Sequence, residues 1–356
     1  MAELPLLKMT EQTPTCLWND SADPQELRQA IGWGAVGATC NPVIALTALK
    51  ADLPTWAARI REYAAANPQA TDDEIGWAMV KQLSVEAAAL LEPAFAHFGG
   101  VNGRLSIQTD PRNHRDPAAL VTQATAFNSL AENIIVKIPV TSQGIEAFEE
   151  ATYRGISVNA TVSFSVPQAI AVGEAVERGL RRREAEGLDT ASMGPVCTIM
   201  VGRLDDWMRV VAERDQITVD PGIMEWAGVA TFKKAYGIYQ ERGFRTRLLS
   251  AAFRNHMHWS QLIGGNVVIS PPFAWQQRCN ASGIEPKARL EDPVDPRIVD
   301  QLYEKFPEFR MAYDVDGMTP AQFSSYGATV RTMRQFLGAT NDLEALVRDV
   351  LLPSPG

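Results

Sequence analysis

The chain has 356 residues, 46% of them hydrophobic, which is ample for a buried core and excludes disorder as the dominant state. Its 33 basic against 42 acidic side chains give a net charge of -9, which argues against a broad nucleic-acid footprint or an anionic-membrane surface. No charge-free run of eighteen apolar residues occurs, and the start MAELPLLKMTEQT lacks the pattern of a secretory leader, so a cytoplasmic chain with neither membrane nor nucleic-acid partners is expected.

Eight short runs rich in apolar and β-branched residues recur along the chain. They are TCLWND (15–20), AVGAT (35–39), GRLSIQ (103–108), NIIVKIPV (133–140), ISVNATV (156–162), GPVCTIMV (194–201), RLLSAA (247–252) and NVVIS (266–270). Amphipathic helical segments lie between them, among them EIGWAMVKQLSVEAAALLEPAF, PAALVTQATAFNSLAE, SVPQAIAVGEAVERGLRRREAEG and MEWAGVATFKKAYGIYQERG. Strand followed by helix, eight times over, predicts parallel strands closed into a (β/α)8 TIM barrel of the α/β class. A doubly wound sheet needs fewer strands and usually a Gly-rich phosphate turn, and neither GxGxxG nor GxxxxGK[ST] is present. Residues 51–98 read as a two-helix insertion after the second strand. The barrel domain is placed over 1–275 and a helical C-terminal extension over 276–356, with Leu302, Phe306, Phe323, Met333, Phe336, Leu346 and Val350 positioned to pack on the barrel, across its mouth or beside it.

Cys16, Cys40, Cys197 and Cys279 stand far apart with no CxxC spacing, so neither a zinc site nor a disulfide framework is expected. His256 and His258 form the one close histidine pair. Their segment FRNHMHWSQL has helical character with no nearby carboxylate in sequence, and is read as an ordinary helix surface rather than a metal site. No metal and no cofactor is called for.

In a barrel, catalytic groups project from the C-terminal strand ends into a shared mouth. Lys137 is the outlier, an ammonium group inside the apolar run NIIVKIPV and on the opposite face from Val136 and Ile138. Loss of hydration lowers an amine pKa and raises the neutral fraction able to attack a carbonyl, which is Schiff-base chemistry; the competing reading is a lysine paired to a carboxylate or reaching the rim. Polar groups at other strand ends favour the first reading: Asp20, Asn41, Gln108, Asn159, Thr161 and Thr198. Singly, Asp20 reads as a helix cap or turn residue, Asn41 as a turn before Pro42, and the threonines as strand formers. Arg203 after the sixth strand and Arg254 after the seventh suit an anion such as phosphate, against the alternatives of an ion pair with Asp205 or Asp206 and a cap of the rim.

Taken in order, GATCNPVI, NIIVKIPVTSQGIEAF, GISVNATVSFSVPQA, MVGRLDDW and AAFRN resemble the transaldolases over about residues 13–275. The resemblance implies a class I aldolase-type (β/α)8 barrel that passes a dihydroxyacetone unit between sugar phosphates. It implies Lys137 as the Schiff-base lysine, Asp20 as the carboxylate that shuttles the substrate hydroxyl proton, and Thr161 as holder of the catalytic water. Asn41 and Asn159 would bind donor hydroxyls, and Arg203 and Arg254 the phosphate, helped by Thr198. Three positions depart from the family pattern: Gln108 replaces a glutamate, Met200 the usual aromatic residue, and Ala252 a phosphate-site serine. Gln108 is shared with the related fructose 6-phosphate aldolases, which release dihydroxyacetone. Transfer, simple aldol cleavage and a non-catalytic sugar-phosphate-binding paralogue therefore all remain, with transfer favoured, and a homodimer is left open.

Overall fold

The computed structural model describes residues 4–354. Eight parallel strands form a closed barrel in chain order: β1 (Cys16–Asn19), β2 (Ala35–Cys40), β3 (Arg104–Gln108), β4 (Ile134–Pro139), β5 (Val158–Thr161), β6 (Val196–Ile199), β7 (Arg247–Ala251) and β8 (Val268–Ser270). Closure is made by β8 against β1, with Cys16 opposite Val268 and Leu17 opposite Ile269. This is the expected (β/α)8 barrel.

Strand alternation divides the side chains between two cores. Leu105, Ile107, Ile134, Val136, Ile138, Val158 and Ala160 point outward and join the large core beneath the helices. Trp18, Ile135, Val196, Leu249, Ala251 and Val268 point inward and fill the barrel. Gly37 makes room for the indole of Trp18, since a Cβ at that position would lie 2.5 Å from it. The lumen is thus plugged by apolar packing, and the polar strand ends stand above that plug.

The insertion after β2 is longer than the sequence indicates: Pro42–Ala51 is also helical, and precedes the helices Leu53–Ala66 and Asp72–His97. The Asn-Pro pair reads as a turn, yet Asn41 caps that first helix and Pro42 occupies a first-turn position that needs no N–H. After β8 the chain runs through helices Phe273–Ala281, Pro296–Lys305 and Pro307–Tyr313 to the long helix Gly327–Leu351. That last helix contacts Pro42–Ala51 after β2, the 3-10 turn Pro111–Asn113 after β3, and Val201–Arg214 after β6. Those elements all follow strand C-termini, so the helix lies across the mouth.

Candidate active site

Lys137 projects from β4 into the barrel and is only 3% exposed. Burial lowers its pKa, and the Arg203 charge lowers it further, while Asp20 and Cys40 act in the opposite direction. Its strand neighbours in register are Gln108 of β3 and Asn159 of β5, two residues named from sequence. No ion pair holds the Lys137 amine within 4 Å of a carboxylate among the described residues, which disfavours the paired-lysine reading.

Asp20 follows β1 and escapes the capping role because Asp23 takes it: the Asp23 carboxylate accepts from the backbone N–H groups of Gln25 and Glu26. Asp20 Oδ1 instead accepts from Thr39 Oγ at 2.5 Å, a partner from β2 that sequence reasoning missed although it sits at an inward strand position. On its outer side Asp20 borders a groove of about 360 Å³, also lined by Val43, Ile44, Ala48 and Phe273. Asn41 is placed differently. Its side-chain oxygen accepts from Ile44 N–H at 3.0 Å as the helix cap, so that oxygen is committed to the fold.

Asn159 is held at both ends of its amide. Its nitrogen donates to Ser106 Oγ at 2.9 Å, and its oxygen accepts from Thr198 Oγ at 2.7 Å. Ser106 is a second residue missed from sequence. By contrast, Gln108 Oε1, Thr161 Oγ and Ser270 Oγ, the last at the inward end of β8, are buried without a partner. An orphaned buried polar group costs about 1–3 kcal/mol, so these three would gain from a polar guest or water within the barrel. Val162 and Ala252, just past β5 and β7, have φ of 55° and 64°. Left-handed backbone at non-glycine residues concentrates where function over-determines the local structure.

The two arginines flank the mouth but are engaged. Arg203 Nη1 donates to Gln335 Oε1 at 2.6 Å and to Thr332 Oγ at 3.4 Å, both on the C-terminal helix, while its Nε is buried without a partner. Burial pulls its pKa down to about 10, with the Arg254 charge adding to the effect. Arg254 places Nε and Nη2 on Asp206 Oδ2 at 2.9 and 2.8 Å, and Nη1 on the carbonyl of Phe253 at 2.9 Å. The ion-pair alternative raised for Arg203 therefore falls to Arg254. One expectation is overturned: the His256–His258 segment is not a plain helix surface. Its helix is a single turn, Met257–Ser260, and His258 is fully buried with Nε2 2.8 Å from Asp205 Oδ2. Asp205 is fifty-three residues away in sequence, so a search of local sequence could not find it.

Comparison with known proteins agrees with the geometry. A family model described as Transaldolase/Fructose-6-phosphate aldolase matches residues 17–325. A transaldolase of Thiobacillus denitrificans is 35% identical over 313 residues, covering 80% of this chain and 83% of that protein. One of Alteromonas mediterranea is 28% identical over 345 residues, covering 93% and 95%. One of an Arthrobacter species is 32% identical over 210 residues, and the match spans 55% of its length. The chain belongs to the transaldolase/fructose-6-phosphate aldolase family of enzymes.

Proposed function

We propose that the protein is a transaldolase that moves a dihydroxyacetone unit from a ketose phosphate to an aldose phosphate through a Schiff base on Lys137. The observation that carries this reading is a lysine held dry at the centre of the barrel, its pKa lowered by burial, with Asp20, Asn159 and Thr198 around it. The neutral Nζ attacks the C2 carbonyl of the ketose, and the carbinolamine loses water to give a protonated imine. Asp20 takes the proton of the C4 hydroxyl, the C3–C4 bond breaks, and its electron pair flows into the imine to form an enamine as the aldose leaves. Asn159, fixed by Ser106 and Thr198, and Asn41 through its amide nitrogen, hold the donor hydroxyls. The enamine then attacks an acceptor aldehyde, Asp20 returns the proton, and water placed by Thr161 hydrolyses the product imine. Arg203 and Arg254 take the phosphate, for which Gln335 and Asp206 give up their hydrogen bonds.

Gln108 supports a second reading. An amide in place of a carboxylate accepts no proton, so control of the hydrolytic water differs, and release of free dihydroxyacetone by an aldolase becomes the competing outcome. Rates with fructose 6-phosphate, in the presence and absence of an aldose phosphate acceptor, separate the two. Transfer predicts sustained turnover only with acceptor. Equal rates of aldose phosphate formation without acceptor would assign the protein to the aldolases.

A further inference from the structure

Behind the loop that carries Arg254 lies a buried polar pair with no part in the chemistry above. His258 and Asp205 are both 0% exposed. The imidazole Nδ1 accepts the backbone N–H of Arg254 at 3.0 Å, so that nitrogen carries no proton. Nε2 then bears the hydrogen and donates it to Asp205 Oδ2 at 2.8 Å. The other Asp205 oxygen accepts from Gly228 N–H at 2.9 Å, and Ser250 Oγ donates to the His258 carbonyl at 3.1 Å. The Asn255 side-chain nitrogen also approaches Nε2, at 3.4 Å, farther than Asp205, and the Arg254 N–H on Nδ1 selects the tautomer with hydrogen on Nε2.

Position gives the pair its significance. Asp205 lies two residues beyond Arg203 in the helix Val201–Arg214, and His258 lies four residues beyond Arg254. The chain Asp205, His258, Arg254 N–H thus ties the element bearing one arginine to the loop bearing the other. That loop starts at Ala252, whose φ of 64° is strained for a residue with a Cβ and persists only where neighbours hold it. Ala252 also brings no hydroxyl, so anion binding there depends on where the guanidinium stands.

We propose that His258, oriented by Asp205, is a positioning residue that sets the placement of Arg254 and with it the affinity for the phosphate group of the substrate. This rests on the phosphate role given to Arg254 above. It needs only the neutral imidazole that accepts the Arg254 N–H, and Asp205 serves to fix which nitrogen is free to accept.

The test compares His258→Ala, His258→Asn and Arg254→Met on fructose 6-phosphate and on unphosphorylated dihydroxyacetone as donors. His258→Ala is expected to raise KM for fructose 6-phosphate about 10-fold, the size of one lost hydrogen bond, with kcat and the KM for dihydroxyacetone little changed. His258→Asn, whose Oδ1 can take the Arg254 N–H, is expected to recover most of that loss. Equal losses on both donors, a loss in kcat alone, or no rescue by asparagine would overturn the proposal. If Arg254→Met raises KM for fructose 6-phosphate while His258→Ala does not, the positioning role alone fails. If Arg254→Met changes nothing, the phosphate reading fails and the proposal with it. Should the alanine variant not fold, the ¹⁵N imidazole spectrum of the unmodified protein decides: hydrogen on Nε2 is expected, and hydrogen on Nδ1 would overturn the proposal.

Discussion

Replacing Lys137 by Met removes an amine that the fold keeps out of water and substitutes an apolar side chain of similar length. A buried amine lacking a close partner costs stability, through desolvation of its charge or the depressed pKa that keeps it neutral, so Lys137→Met should abolish turnover yet raise Tm by a few degrees in thermal unfolding, corresponding to about 1–2 kcal/mol. A lower Tm would show that the amine is a structural tie instead. Burial also fixes a pH dependence. Because the native pKa is depressed, between that value and the ordinary 10.5 the unfolded chain binds a proton that the native chain does not, and stability rises with pH across this window. Lys137→Met should remove that slope. Asp20 acts in the opposite direction on the same amine, favouring its charged form. Asp20→Asn should therefore move the acid limb of imine formation, set by loss of the amine proton, to lower pH while cutting turnover by a factor of about 10²–10⁴. Imine formation that is lost together with turnover would contradict the assignment of Asp20 to the proton step.

At the scale of elements, helix caps decide which polar residues are free for chemistry. From sequence Asp20 reads as a helix cap or turn residue and Asn41 as a turn before Pro42. Asp23 relieves Asp20 of that duty, whereas Asn41 performs it. Local sequence could not separate the two cases because Asp20 and Asp23 both precede the same helix and either could accept its free N–H groups. The C-terminal helix was legible as a packed tail but its path was not, since it is set by long-range contacts such as Gln335 with Arg203 and Gly327 with Trp207. A Cβ at Gly327 would lie 1.9 Å from the Trp207 ring. Gly327→Val should lift the start of that helix from the mouth and admit water to Lys137. The expected result is an alkaline shift of the activity limb with a lower Tm; a lower Tm with an unchanged limb would show that the helix does not keep the amine dry.

For the whole molecule, the eight strands were readable because each is a short apolar run followed by a helical period, and because the lysine breaks the pattern on an inward face. Hydrogen bonds between strands were not readable. Thr39 with Asp20 and Ser106 with Asn159 join residues of nearby strands, and Asp205 with His258 joins two helical segments after β6 and β7, all brought together only by the tertiary fold. The lumen plug beneath the site depends on Trp18 against Gly37, where no Cβ fits. Gly37→Ala should cost about 1–3 kcal/mol through overpacking, measured by denaturant unfolding, and a neutral effect would mean that the indole has room to move. The proposed transfer requires a covalent bond between Lys137 and a ketose. Borohydride reduction in the presence of fructose 6-phosphate, followed by peptide mass mapping, is expected to give one stable three- or six-carbon adduct on the peptide containing Lys137 and none in Lys137→Met. Turnover that survives borohydride with no adduct, or an adduct on another lysine, would contradict it.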